Sequence, residues 1–306
     1  MGWREGAGEL DARMLERPLL SDAVGKLGAW LAEDGAPYAD GTGAHEVRYI
    51  PGSWAGIRPW PSGLAEQVGR KPTLLSRAQV LAVARTGAAT ASWTETLVAS
   101  YVWGQGDNGY GAYRLGEILR PGQVEAVLAQ TIALLATDGA VAGYRRLSGA
   151  IAGLGPAFFT KFLYFAGGAV VDAPGPRPLI LDQRIARVLR AYTTRLGEGI
   201  GLEEPAKLAA WLWSDGGWTP HRYDVYLRWA HGATDQLAGS THWPLAPDLL
   251  ELALFSGAWN PYKSSLGPSV SDTPSPSRSA ALSGPCPGAS GIPPWTRTGP
   301  CGTAPS

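Results

Sequence analysis

The sequence predicts a mainly α-helical fold, and three observations carry that expectation. Apolar residues recur at helical spacing from about residue 76 to residue 256. Capping residues and prolines stand where those segments would begin. Alternating apolar and polar runs, the signal of a strand, are few. Taken in order, residues 1–60 are mixed, with a helix near 19–33 and then Gly- and Pro-rich chain around Trp54 and Trp60. Ser76 can cap a helix through Ala88. Ser92-Trp93-Thr94-Glu95 fits a capping box, which opens a helix through about Trp103. Further helices fall near 110–119, 122–136, 139–148 and 156–167. After a Pro- and Gly-rich connection at 168–178, Asp182 can cap a helix through about Arg195. Helices near 204–214, 219–238 and 247–256 complete the series. From about 262 the composition changes to Ser, Pro, Gly and Thr, which cannot bury enough apolar surface to offset ordering entropy. Residues 262–306 are therefore expected to be a disordered tail.

A chain of 306 residues that is 45% hydrophobic is not wholly disordered. No apolar run approaches the roughly 18 to 20 residues of a membrane helix. The opening MGWREGAGELDARMLERPLL is too charged for a secretory signal, so a cytoplasmic location is expected. Both cysteines, Cys286 and Cys301, lie near the end, and the four histidines are scattered. Neither a metal site nor a disulfide framework is expected, and no cofactor is called for.

Lys plus Arg and Asp plus Glu each number 26, so the formal net charge is zero. That balance argues against a nucleic-acid partner, but it is unevenly distributed. Residues 1–50 carry a charge of −4. Residues 141–200 carry +5, with eight basic groups against Asp172, Asp182 and Glu198. Screening acts over about 8 Å at physiological salt, so one basic face can bind phosphate on a neutral protein. A solvated helix face is the alternative.

Gly104-Gln105-Gly106-Asp107-Asn108-Gly109 is literally GxGxxG. A dinucleotide site needs a strand before it and a βαβ unit around it. Helices flank it here, so it reads as a Gly-rich turn. Tyr144 to Phe165, YRRLSGAIAGLGPAFFTKFLYF, is more specific. A basic amphipathic helix runs into Gly153-Leu154-Gly155, and a second helix starts at Pro156, where a missing N–H costs nothing. Glycines there allow close approach of backbone to a partner, and a helix N-terminus can face a phosphate. This is the pattern of the helix-hairpin-helix DNA-binding motif, and also of many helical pairs that bind nothing.

After that hairpin comes Leu179-Ile180-Leu181-Asp182-Gln183-Arg184-Ile185-Ala186-Arg187-Val188. An apolar triplet ending in Asp, before an Arg-bearing helix, resembles the second signature of the helix-hairpin-helix DNA glycosylases. That superfamily includes endonuclease III, adenine glycosylases and 8-oxoguanine DNA glycosylases. Gly155 and Asp182 are 27 residues apart, longer than usual, and the excess falls in the Pro-rich loop. With no C-terminal cysteine cluster, the chain leans toward the 8-oxoguanine group. The resemblance implies two helical subdomains flanking a cleft. One is 70–178, ending in the hairpin (144–165). The other is 179–258, carrying the Asp, with 1–69 packed against it. It also implies a monomer acting on double-stranded DNA that contains a damaged base, at the nucleoid. Gln105 falls where relatives fill the space left by the extruded base. Gly153, Leu154, Gly155, Pro156 and Arg184 would contact DNA.

Bifunctional relatives carry a nucleophilic lysine two residues after the second hairpin glycine, which is Ala157 here. Lys161 lies one turn further along the same face. It sits among four of the five phenylalanines. Side chains tilt toward the helix N-terminus, so its amine can reach back over Ala157. Burial would raise its neutral, nucleophilic fraction. An exposed, amphipathic lysine is the alternative. Asp182 is a favoured N-cap in any case. By the resemblance it also stabilises charge on the sugar. Trp218, Tyr223 and Tyr226 are candidates to wall the base pocket, since flipped bases are read by stacking. The resulting expectation is a DNA glycosylase that excises an oxidised purine such as 8-oxoguanine, with AP lyase activity if Lys161 is the nucleophile and as a monofunctional enzyme using Asp182 and water if it is not. A helix-hairpin-helix DNA-binding protein without catalysis, or a helical interaction domain, remain as alternatives.

Overall fold

The computed structural model describes residues 3–261 except 108 and 171; the stretch 262–306, with both cysteines, lies outside the described residues. Two helices come first, α1 (Trp3–Glu16) and α2 (Ser21–Ala32). α1 is absent from the expected helices. Its buried Ala7, Leu10, Asp11 and Met14 keep helical spacing, but Gly6, Gly8 and a buried carboxylate obscure the apolar stripe. Short 3-10 turns follow, then a strand, β1 (Glu46–Tyr49), that pairs antiparallel with β2 (Thr73–Ser76) in the register Glu46↔Ser76 to Tyr49↔Thr73. That two-stranded sheet was also not expected, because its strands are short and far apart in sequence.

Ser76 caps α3 (Arg77–Thr90) through a complete capping box with Gln79. The box expected at Ser92–Glu95 does not form. α4 (Thr94–Gln105) is instead capped from outside by Glu125, whose carboxylate accepts the backbone N–H groups of Trp93 and Thr94 at 2.8 Å each. The acidic group at a helix N-terminus is the same physics, supplied by another element. There follow α5 (Gly111–Leu119), α6 (Val124–Asp138), α7 (Ala140–Leu147) and α8 (Pro156–Gly167). The last four are α9 (Gln183–Gly199), α10 (Pro205–Leu212), α11 (Pro220–Ser240) and α12 (Pro247–Ser256). The fold of the described residues is thus mostly helical. None of their helices is long and apolar enough to cross a membrane.

The described residues, 3–261, belong to one compact unit. Inside it, α3, α4, α6, α7 and α8 pack on one another, while α1, α9, α10, α11 and α12 do the same, and α7 meets α11. The acidic N-terminal stretch docks on the second group through two ion pairs. Buried Asp11 is gripped by both terminal nitrogens of Arg222, and Asp22 lies 3.2 Å from Arg195. Asp215 also draws in Arg187 and Arg190. The basic segment 141–200 is therefore partly neutralised in place. Arg145, Arg146 and Arg184 form no ion pair among the described residues.

Candidate active site

The turn between α7 and α8 brings Gly153 to φ +80°, a left-handed conformation suited to glycine. Leu154 turns inward and is buried, its N–H bonded to the carbonyl of Ile151. Pro156 opens α8, and no side chain caps that helix start. The hairpin residues therefore present backbone rather than side chains. Gly155 holds the first turn of α8 by accepting from the N–H groups of Phe158 and Phe159.

One turn into α8, Lys161 points back toward the hairpin. Its Nζ donates to the carbonyl of Ala157 at 2.7 Å and lies 3.8 Å from Oδ2 of Asp182. The two side chains are 8% and 14% exposed, enough to admit a reactant and little enough to exclude most water. Asp182 is held as the N-cap of α9, its Oδ1 accepting from the N–H of Arg184 at 2.9 Å and of Ile185 at 3.2 Å. One carboxylate oxygen is thus a cap, and the other faces the amine. Burial pulls the Lys161 pKa below its ordinary value, against the pull of Asp182 and Glu251. A larger fraction of the amine is neutral than for a surface lysine. The aliphatic stem lies along α4: a Cβ on Gly104 would sit 2.4 Å from its Cδ. Phe158, stacked on Tyr101 at 4.2 Å, places its ring 5.6 Å from the amine.

The approach of Asp182 to Lys161 depends on how the segment 179–182 is anchored, since no strand pairs with it. Three side chains take the place of a sheet ladder. The hydroxyl of Thr160, next to Lys161, accepts from the N–H of Leu181 at 3.2 Å and lies 3.1 Å from its carbonyl. Tyr223 and Tyr226 donate to the carbonyls of Leu179 and Ile180 at 2.9 and 2.8 Å. Their placement differs from the expectation of a base pocket. Both are fully buried, with hydroxyls engaged, and Tyr223 stacks on Tyr144. Trp218 is also buried, its indole N–H donating to the carbonyl of Ser214. All three serve the core beneath the site.

Gln105 ends α4, next to Gly104, and packs so close to Gly111 that a Cβ there would meet its side chain. Arg184 lies with its guanidinium 4.6 Å from the ring centre of Phe255 on α12. Phe255 is partly exposed and meets His45, which in turn meets Trp103. Sequence reasoning missed His45, Arg77, Glu251 and Phe255. Arg77 and Glu251 form an interior ion pair at 2.9 Å. Burial raises the Glu251 pKa to about 7 despite Arg77. A separate cavity of about 760 Å³, lined in part by Arg77, Arg85, Tyr164, Arg177 and Asp248, does not include Lys161 or Asp182. The buried amine–carboxylate pair is the better guide to chemistry, because volume alone does not select a reaction. Among the described residues no group of three or more His, Cys, Asp or Glu could hold a metal ion.

A family model described as "Putative 8-oxoguanine DNA glycosylase OGG-like protein" matches residues 40–255. No curated protein and no solved structure gives a match.

Proposed function

The chain belongs to this OGG-like family, and from that premise we propose that it is a DNA glycosylase that excises an oxidised purine from double-stranded DNA with Lys161 as nucleophile. The observation that carries the proposal is the Lys161 amine on the Ala157 carbonyl, 3.8 Å from Asp182. The carbonyl orients the amine, and the carboxylate stands where positive charge develops. A long side chain from the next turn thereby brings its amine to the backbone position at which bifunctional relatives carry theirs.

In the proposed reaction the hairpin 153–156 grips the DNA backbone through the N–H groups of Gly155 and Ala157, since Pro156 has none and those of Leu154, Phe158 and Phe159 are bonded to Ile151 and Gly155. Arg145, Arg146 and Arg184 supply the positive charge. The damaged nucleotide is extruded, and Gln105 fills the gap in the stack. Neutral Lys161 attacks C1′ of the sugar. The new N–C1′ bond forms as the C1′–N9 bond breaks, and the base leaves with the electron pair and takes up a proton. Asp182 stabilises the positive charge on the sugar as that bond opens. The attached nitrogen then gives up one proton, its lone pair breaks the C1′–O4′ bond, and O4′ takes up a proton as the sugar ring opens, which leaves a protonated Schiff base. Removal of a proton from C2′ expels the 3′ phosphate by β-elimination. Phe255, rather than Trp218, Tyr223 or Tyr226, is the proposed stacking partner of the base; its partial exposure and its contact with Arg184 support that role. The catalytic unit is a monomer of two lobes, 70–178 and 179–258; of the residues before them α1 and α2 pack on the second lobe, whereas β1 pairs with β2 and joins the first, which corrects the expectation that all of 1–69 lies against the second.

Borohydride trapping on an 8-oxoguanine duplex tests this. A covalent adduct that disappears in Lys161→Ala supports the reading. An adduct that persists in Lys161→Ala removes Lys161 as nucleophile. Base release without strand scission in that variant favours Asp182 with water. Salt-sensitive DNA binding with no base release from any damaged duplex would leave only a DNA-binding protein.

A further inference from the structure

The antiparallel register Glu46↔Ser76 sets the residues just outside it, His45 and Arg77, side by side. The Arg77 N–H donates to the His45 carbonyl at 2.9 Å. The Arg77 side chain also donates, through Nε, to Nδ1 of the His45 ring at 3.2 Å. A guanidinium has donors and no acceptor, so Nδ1 must be the unprotonated nitrogen and the ring proton sits on Nε2. Arg77 is itself fixed. It is buried, paired with Glu251 at 2.9 Å, and packed on the rings of Trp103 and Tyr164 at 5.1 and 5.2 Å. Burial and the Arg77 charge bring the imidazole pKa down to about 4, so the ring is neutral at neutral pH. Its Nε2–H has no hydrogen-bond partner among the described residues, and the ring is partly exposed.

This donor belongs to a closed circuit of contacts around the amine. Lys161 lies 3.8 Å from Asp182. Two residues on, Arg184 lies over Phe255 at 4.6 Å. Phe255 meets His45 at 6.3 Å between ring centres, and His45 meets Trp103 edge to face at 5.5 Å. Trp103 precedes Gly104, which abuts the stem of Lys161. The indole N–H of Trp103 is buried and has no hydrogen-bond partner among the described residues. Two neighbouring rings thus each hold an unused donor, that of Trp103 buried and that of His45 on a partly exposed ring, and the circuit of contacts ties both to the segments that carry Lys161 and Asp182. A fixed neutral donor stabilises a carbonyl oxygen and opposes an amino group placed at the same point.

We propose that His45 is a specificity-determining residue, donating through Nε2–H to a carbonyl oxygen of the flipped oxo-purine. Arg77 and Glu251 are positioning residues that lock the tautomer. The inference rests on the glycosylase reading above, and its test separates the two. His45→Phe keeps a ring against Trp103 and Phe255 but removes the donor. His45→Gln carries an amide N–H near the position of Nε2. Single-turnover release of 8-oxoguanine is measured beside binding to a duplex carrying a stable abasic analogue, which has no base to read.

His45→Phe should slow base release by roughly ten- to a hundredfold. Its affinity for the abasic analogue should stay within about twofold of wild type, and His45→Gln should recover part of the rate. Base release by His45→Phe within about threefold of wild type would overturn the proposal. So would a parallel loss of abasic-analogue binding, which would make His45 structural, or a Gln variant no faster than Phe. Wild-type protein that releases no base at all would overturn the glycosylase reading, and this inference with it.

Discussion

Gly104→Ala is the most discriminating change the site offers, because it should displace the amine while leaving stability almost unchanged. Gly104 lies in the last turn of α4, so alanine suits the backbone and gains at most about 1 kcal/mol there. The new Cβ, however, would lie 2.4 Å from Cδ of Lys161 and 2.9 Å from Cε. Restoring ordinary contact at about 3.4 Å requires the lysine stem to shift by about 1 Å. The off-rotamer strain on Lys161 costs about 0.5 to 1.5 kcal/mol, which nearly cancels the helix gain. The melting temperature should therefore change by only a few degrees. The amine fares differently. A displacement of about 1 Å is large against a 2.7 Å bond to Ala157 and a 3.8 Å approach to Asp182. A misplacement of that size costs roughly a hundredfold in rate. The assay is the initial rate of borohydride trapping on an 8-oxoguanine duplex, with calorimetry on the same sample. Wild-type trapping by Gly104→Ala would refute the argument that α4 sets the position of the amine. A collapse of the fold would refute the stability half.

Asp182→Asn keeps a capping side chain, so it should cost less than about 1 kcal/mol in urea denaturation. Base release should nevertheless fall by roughly a hundredfold or more, and a near-normal rate would leave Asp182 only its cap. Thr160→Val leaves the N–H of Leu181 without its acceptor and should lower stability by about 1 to 3 kcal/mol. An unchanged denaturation midpoint would show that the tyrosines alone anchor 179–182. Glu251 titrates at about 7 in the fold against 4.5 in the unfolded chain, so the folded state holds the extra proton. Its contribution is fully present below pH 4.5 and is lost as pH rises through about 7. Glu251→Gln should abolish that decline between pH 5 and 8, while lowering stability overall because Arg77 loses its charge partner. Arg145, Arg146 and Arg184 as the main phosphate contacts predict a shallow salt dependence. The slope of log K against log salt in anisotropy titrations should be about −3, and a slope near −10 would contradict the charge assignment.

The helices from α3 to α12 were legible because their periodicity and start signals are local. Ser76 and Asp182 cap the helices they precede, as a single side chain can be judged from its own neighbours. The box at Ser92 failed for the complementary reason: Glu125, 30 residues away from Glu95, took its place. α1 was hidden because Asp11 makes sense inside a helix only once Arg222 is known to meet it. His45 and Arg77 were invisible as a pair, since nothing in either sequence neighbourhood announces the register of β1 on β2. Lys161 could be singled out from its phenylalanines and from the tilt of helical side chains. Tyr223 and Tyr226 were misjudged because an aromatic in a late helix looks the same whether it stacks on a ligand or holds a carbonyl.

Those two tyrosines also bear on the 27 residues between Gly155 and Asp182. The carboxylate is not positioned by the length of the loop at 168–178. It is positioned by the carbonyls of Leu179 and Ile180 on Tyr226 and Tyr223's helix, and by Leu181 on Thr160 of the very helix that carries Lys161. Thr160 is adjacent to Lys161, so the anchor and the amine move together. Extra residues upstream can bulge without altering the 3.8 Å approach, since lengthening a loop costs little free energy. The same logic applies to the lysine. Lys161 is long and tilts back toward the start of α8, and it is the Ala157 carbonyl, one turn earlier, that fixes where its amine lies.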